Sequence, residues 1–306
     1  MDKLEIFQDN ALTTARYEMT ETEKNLFYMV VAQVRRDDPP TKMYQVSVKA
    51  MANIIGSEEL KFESYRKATE RLNSRIFRAT LPNGNYFHGS FISSAEYKKG
   101  TGVIEIELSQ KVRPFYVDLS ERFTKIQLVA AISLSSAYAK RIYELLCMYK
   151  NMKDKTFRRS VTELKTMLGI IDEKTGKDTY PDWTKFKTNV LEIAAKEING
   201  HTDLTFSYSP IYGDKKGRGR KPVVEIEFEV FYQVQPEPVQ TNSLRERLLN
   251  QFRLRPDQAD QVLAVHSAEV INRQLYDIQT KVADGKIKNI GSYTAKVFDL
   301  GKELTD

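Results

Sequence analysis

The feature that most restricts how this chain can fold is a motif that occurs twice. Ser47-Val48-x-x-Met51-x-x-Ile54-Ile55-Gly56 is matched by Ser160-Val161-x-x-Leu164-x-x-Met167-Leu168-Gly169. In each copy the apolar spacing predicts a short helix that a glycine ends. After each glycine an aromatic (Tyr65, Phe186) begins a longer helix, and its next core residue falls seven later (Leu72, Ile193). One such match can arise by chance; a match embedded in the same order of elements argues for internal duplication.

The flanking elements repeat as well. In the first copy Thr20 and Glu23 form a capping box, and Leu26, Phe27, Val30, Val31 and Val34 follow at helical spacing until Asp37-Asp38-Pro39-Pro40. Tyr44, Val46 and Val48 alternate as a strand. A helix over roughly 61–77 carries Phe62, Tyr65, Thr69, Leu72 and Ile76 on one face, and strands near 85–95 and 102–109 flank Tyr97-Lys98-Lys99-Gly100-Thr101-Gly102. In the second copy the helices cover 136–150, 161–168 and 182–199, with strands at 157–160, 203–209 and 223–231. A helix pair, a longer helix and a hairpin with a projecting loop make a winged helix-turn-helix. The expected architecture is therefore α+β: two tandem winged-helix domains, over 1–125 and 126–235, with a pseudo-twofold relation. Pro236 and Pro238 mark a linker over 236–243, and 244–306 reads as a helical tail with helices at 244–252, 256–282 and 292–300.

Charge is distributed in keeping with this division. The net charge of +6 resolves into +2 over 1–125, +4 over 126–235 and 0 over 236–306. The basic excess lies in the two duplicated segments, which suits a nucleic-acid partner. The single cysteine, Cys147, excludes an internal disulfide. No apolar run approaches the ~18 residues that span a bilayer, and Met1-Asp2-Lys3 begins no signal peptide, so a cytoplasmic protein without a membrane partner is expected.

The densest local signal is Gly213-Asp214-Lys215-Lys216-Gly217-Arg218-Gly219-Arg220-Lys221, a loop between two strands. Its cations Lys215, Lys216, Arg218, Arg220 and Lys221 can displace counterions from DNA, and its glycines let backbone approach phosphate. A solvated hairpin tip is the plainer alternative. On the preceding helix, a projection at about 100° per residue puts Trp183, Phe186, Val190, Ile193 and Ala194 inward. It puts Thr184, Lys185, Thr188, Glu192, Ala195 and Lys196 outward, with Lys187 and Asn189 on the flanks. Thr184, Lys185, Lys187, Thr188 and Asn189 are the candidate readers, since threonine and lysine can meet phosphates or base edges and asparagine can pair with adenine. An ordinary polar outer face is the competing reading. In the first copy Ser64, Lys67, Arg71 and Ser74 face outward with Arg66 and Arg75 beside them, and Lys98 and Lys99 sit on the wing, but Glu63 and Glu70 thin that surface.

Enzyme readings find no support. His88, His201 and His266 lack any metal-ligand spacing, and Gly169 to Lys177 fails the spacing of a phosphate loop. No cofactor, metal or catalytic group is expected.

The stretch Leu134-Ser135-Ser136-Ala137-Tyr138-Ala139-Lys140-Arg141-Ile142-Tyr143-Glu144-Leu145-Leu146 resembles the L-x-S-x-Y-x-x-R-L-Y-E-L-L signature of iteron-binding plasmid initiators, the Rep proteins. Ser160-Val161-x-x-Leu164-x-x-x-Leu168-Gly169, Phe186-Lys187-x-x-Val190-Leu191, Lys196-Glu197-Ile198-Asn199, Lys215-Lys216-Gly217-Arg218 and the opening Asn10-Ala11-Leu12-x-x-Ala15-x-Tyr17-x-x-Thr20-x-x-Glu23 keep that family's order over about residues 8–232. The resemblance implies monomers on origin direct repeats (iterons) that recruit host replication proteins, and homodimers on an operator inverted repeat that repress the initiator's own gene. It implies that the second domain is the main DNA grip and the first a second contact and dimer surface. Many members carry guanine-reading arginines at the positions of Lys187, Thr188 and Asn189, so a preference shifted away from guanine is implied. Ile287-Lys288-Asn289-Ile290-Gly291-Ser292-Tyr293 resembles a short motif at the ends of some initiators and DnaD-like proteins, which implies either a host-protein contact or a plain accessory helical domain. Two further classes stay open on the residues alone: a winged-helix transcriptional regulator without initiator activity, and an interaction protein whose basic wing is only surface.

Overall fold

The computed structural model describes residues 5–55, 62–81, 83–117, 119, 123–172, 174–215, 221–232, 244–283, 287 and 289–300. They divide into two compact units, one holding 5–232 apart from 99–101, the other the C-terminal helices.

In the larger unit the duplication is visible in strand order. The first copy runs β2 (Met43–Ser47), α3 (Val48–Ile55), α4 (Phe62–Ser74), β5 (Ile92–Lys98) and β6 (Val103–Leu108), and its sheet order is β2-β6-β5. The second runs β8 (Thr156–Ser160), α8 (Val161–Met167), a long helix from Trp183 to His201, β9 (Leu204–Tyr212) and β10 (Val223–Tyr232), with sheet order β8-β10-β9. In both, the short strand before the first helix pairs antiparallel with the last strand of the hairpin. That is the winged-helix arrangement.

The repeated serine and glycine have local jobs. Ser47 Oγ accepts from the Ala50 amide at 3.2 Å, and Ser160 Oγ accepts from the Glu163 amide at 3.1 Å, each satisfying a donor that the first helical turn leaves open. Gly169 adopts φ +71°, and a Cβ there would lie 2.2 Å from Glu18 Cγ, so both conformation and space require glycine. Gly56 lies outside the described residues.

Ahead of the first copy stand β1 (Glu5–Asp9), α1 (Asn10–Thr13) and α2 (Glu21–Val31), which opens on the Thr20/Glu23 capping box. Between the copies come β7 (Phe123–Gln127), α6 (Leu128–Ser133) and α7 (Ala137–Tyr149); β1 pairs with β7. The helix expected over 61–77 ends at Ser74. Ile76 begins β3 (Ile76–Thr80), which pairs with β4 (Tyr86–Ser90) and bridges Arg16 through Arg78. Ile76 is therefore exposed, while its alternate neighbours Phe77 and Ala79 are buried. Remaining in this unit is α5 (Pro114–Val117). One apolar core runs through both copies, and α7 is buried on every side within it.

The smaller unit is helical: a π-helical turn Arg247–Gln251, then Pro256–Val265, Ala268–Ala283 and Ile290–Val297. The single helix expected over 256–282 is broken at His266, whose backbone is extended, and Ser267 Oγ accepts from the Val270 amide at 3.5 Å to restart it. Leu248, Phe252, Val262, Ile271, Leu275 and Phe298 form its core. A Cβ on Gly291 would lie 2.8 Å from the Arg253 carbonyl oxygen, so the glycine of the 287–293 motif serves close packing.

Candidate nucleic-acid interface

The outer surface of the second winged helix is built on the helix from Trp183 to His201. Asp182 caps it, its carboxylate accepting from the Thr184 amide at 2.7 Å and the Lys185 amide at 3.2 Å. The helix has three sections: α9 (Trp183–Phe186), a π-helical turn (Lys187–Leu191) and α10 (Glu192–His201). Phe186, Val190, Leu191, Ala194 and Ile198 are buried, and Trp183 packs half-buried against Phe186 and the core. Ile193, projected inward from the sequence, is 40% exposed, because the wider π turn shifts the phase of everything after it.

Of the five candidate readers, Thr184, Lys185, Thr188 and Asn189 are exposed and Lys187 is half-exposed. Lys187 Nζ lies 3.2 Å from Glu192 Oε1, a hydrogen-bonded pairing that raises the pKa of the lysine. Asn189 Nδ2 donates to the Lys185 carbonyl at 2.8 Å. The β9–β10 hairpin closes through a Gly213 amide to Pro222 carbonyl bond of 2.9 Å. Lys215 and Lys221 stand exposed at its two sides. Lys216, Arg218 and Arg220 lie outside the described residues.

The first winged helix presents its cations differently. Arg66 pairs with Glu63 at 2.6 Å and also with Glu70, and Lys67 Nζ lies 3.9 Å from Glu63. Arg71 holds buried Glu23 at 3.0 Å, and Lys98 lies 2.9 Å from Glu96 and 3.1 Å from Glu105. Ser64 and Lys99 are exposed. Carboxylates thus sit on Arg66, Lys67, Arg71 and Lys98, whereas on the second winged helix Lys185, Lys215 and Lys221 make no ion pair among the described residues.

The strings that resemble Rep initiators turn out to hold the scaffold. Ser135 and Ser136 donate their amides to Glu197 at 2.9 and 3.0 Å, fixing the long helix to the start of α7. Asn199 exchanges two hydrogen bonds with the backbone of Phe206, 2.8 and 3.1 Å, fixing the same helix to β9. Arg141 and Glu144 of α7 join a buried cluster with α2 and the segment before it. Lys24 Nζ lies 2.7 Å from Glu144 Oε1, and Arg141 Nη1 lies 2.6 Å from Oε2. Tyr28 and Tyr17 donate to the same carboxylate at 3.0 and 3.1 Å, and Arg141 Nη2 donates to the Ala15 carbonyl at 2.6 Å. Burial alone raises the Glu144 pKa, but the two cations outweigh it and hold the carboxyl below its ordinary value. Burial lowers Lys24 to about 8 against the pull of Glu144. The sequence signal for this cluster was the charge on an otherwise apolar helix.

Comparison with known proteins bears on both halves of the larger unit. Residues 5–147 match the family model described as initiator replication protein, WH1, and residues 160–230 match initiator Rep protein, WH2. The chain belongs to the initiator Rep protein family. It is similar to a replication initiation protein of Escherichia coli, 28% identical over 230 residues, which is 71% of this chain and 67% of that protein. It is similar also to the PI protein of Escherichia coli, 30% identical over 141 residues, 44% of this chain and 45% of the relative. The match thus spans less than half the length of that second relative. Among solved structures, the Pi initiator protein in complex with iteron DNA superposes with a TM-score of 0.63 at 20% identity, covering 77% of this chain and 100% of that one. That likeness establishes the shared fold. Among the described residues no helix is long and apolar enough to cross a membrane, and no group of three or more His, Cys, Asp or Glu is placed to hold a metal.

Proposed function

We propose that this chain initiates plasmid replication by gripping double-stranded DNA with its second winged helix. The observation that carries the reading is the contrast between the two copies: an exposed polar helix face beside wing lysines Lys215 and Lys221 that make no ion pair among the described residues in the second, and carboxylates on Arg66, Lys67, Arg71 and Lys98 in the first. In this reading Lys215, Lys216, Arg218, Arg220 and Lys221 meet phosphates. Thr184, Lys185, Lys187, Thr188 and Asn189 lie in the major groove, where Asn189 can pair with adenine N6 and N7 once its amide leaves the Lys185 carbonyl. Ser64, Arg66, Lys67, Arg71, Lys98 and Lys99 supply a weaker second contact. The related Pi initiator was solved on iteron DNA, which supports origin direct repeats as the target. Monomers then act on the repeats in the bacterial cytoplasm, homodimers repress the gene at an inverted repeat, the domains divide near 125, 235 and 243, and the helical tail offers a surface to host replication proteins. Binding without chemistry suffices for all of this, so no cofactor or enzymatic step is invoked.

The test is a salt titration of binding to duplexes carrying the repeats beside the gene. Five wing contacts predict a slope of log affinity on log salt of about −4.5, at roughly −0.9 per phosphate. An affinity that hardly changes between low and moderate salt refutes DNA binding. A plasmid whose only origin is that repeat region, maintained when this chain is supplied and lost without it, separates an initiator from a regulator.

A further inference from the structure

Buried residues on the long helix of the second copy recur every fourth position: Phe186, Val190, Ala194 and Ile198. An α-helix advances about 100° per residue, so each four-residue step overshoots a full turn by about 40°. The π turn Lys187–Leu191 absorbs that drift and keeps all four against the core. The cost falls on Ile193. Seven residues after Phe186, a regular helix holds it inward; here it precedes buried Ala194 just as Lys185 precedes Phe186 and Asn189 precedes Val190. Lys185, Asn189 and Ile193 therefore form one exposed row, beside a second row of Thr184, Thr188, Glu192 and Lys196. Ile193 is the one large apolar side chain in either row.

We infer that Ile193 reads a thymine, its branched side chain packing on the C5-methyl group in the major groove. That methyl is the apolar feature base pairs present there, and apolar side chains are what recognises it. Ile193 lies outside the apolar core that Phe186, Val190, Ala194 and Ile198 join. The inference rests on the DNA reading above and adds a specificity residue to it.

The experiment takes the duplex that the full chain selects from a random library and replaces its thymines one at a time with deoxyuridine, which removes only the methyl. Wild type is expected to lose about fourfold in affinity at one position, the worth of one buried methyl group. Ile193→Ala is expected to bind the parent duplex correspondingly weaker and to be indifferent to deoxyuridine at that position alone, with Ile193→Val restoring sensitivity. Circular dichroism and melting temperature check that the variants fold, as an exposed site should allow. Identical deoxyuridine profiles for wild type and Ile193→Ala overturn the role of Ile193 while leaving DNA binding intact. Selection of no duplex at all overturns both.

Discussion

Replacing Glu144 with glutamine removes one charge and almost no volume from the middle of the larger unit. The carboxylate is fully buried and receives Lys24 at 2.7 Å, Arg141 at 2.6 Å and two tyrosine hydroxyls. Both cations are buried themselves, so neither can turn to water when the charge goes. Breaking a buried ion pair from one side costs about 3–5 kcal/mol because the other charge is stranded. Against a usual total of about 5–15 kcal/mol, that is a large fraction. For a unit of this size each kcal/mol moves the melting temperature by about 2–4 °C, so Glu144→Gln should melt about 6–20 °C lower. Differential scanning calorimetry on the full chain reads this directly. Adding Lys24→Met, which removes one of the stranded cations, should recover part of the loss, and the double-mutant cycle gives the coupling. A Glu144→Gln variant that melts within 2 °C of wild type, or a double variant with no recovery, would refute the claim that this cluster fastens α7 to the first winged helix.

Other consequences are accessible to simpler assays. Neutralising Lys215, Lys216, Arg218 and Arg220 together should weaken binding to all duplexes alike and flatten the salt slope by about one unit per contact, whereas Thr188→Ala or Asn189→Ala should change preference among sequences in a library selection. Glu63→Gln with Glu70→Gln should release Arg66 and raise affinity for DNA in a fluorescence titration; unchanged affinity would show that the first recognition helix stays off the duplex. Lys140 gives a pH signature. It is buried, its ammonium donating to the Ala131 and Ile132 carbonyls at 2.7 and 3.2 Å, and burial lowers its pKa to about 7. The unfolded lysine titrates near 10.4. Between these values the unfolded chain binds the proton that the folded chain has shed, so the cost of burying Lys140 is fully present below pH 7 and shrinks as pH rises. Wild type should therefore gain on Lys140→Met by up to about 1.4 kcal/mol per pH unit from pH 7 to 9 in urea unfolding, and parallel curves would contradict it.

The residues themselves determined a good deal. Local chemistry wrote the capping box at Thr20, the paired serine–glycine motifs and the period of α2, α3, α7 and α8, because caps and amphipathic spacing act within a turn or two of chain. The duplication, and with it the winged-helix arrangement, could be read from letters alone. What the sequence could not show was decided by long-range pairing. Ile76 looked helical by spacing but became a strand because Tyr86–Ser90 and Arg16 offered it partners. Ile193 looked buried until a π turn rotated it out, a choice made by how Phe186, Val190, Ala194 and Ile198 meet the core. The carboxylates Glu63 and Glu70 beside Arg66 were legible in the sequence, whereas only the tertiary structure brings Glu105 to Lys98 and Glu23 to Arg71. The family-like string gave no partner for Arg141 or Glu144; only the fold brings Lys24, Tyr17 and Tyr28 to them in the core. Periodicity reports which way a side chain points along an ideal helix; only the packed neighbours decide whether it points at water, core or counter-charge.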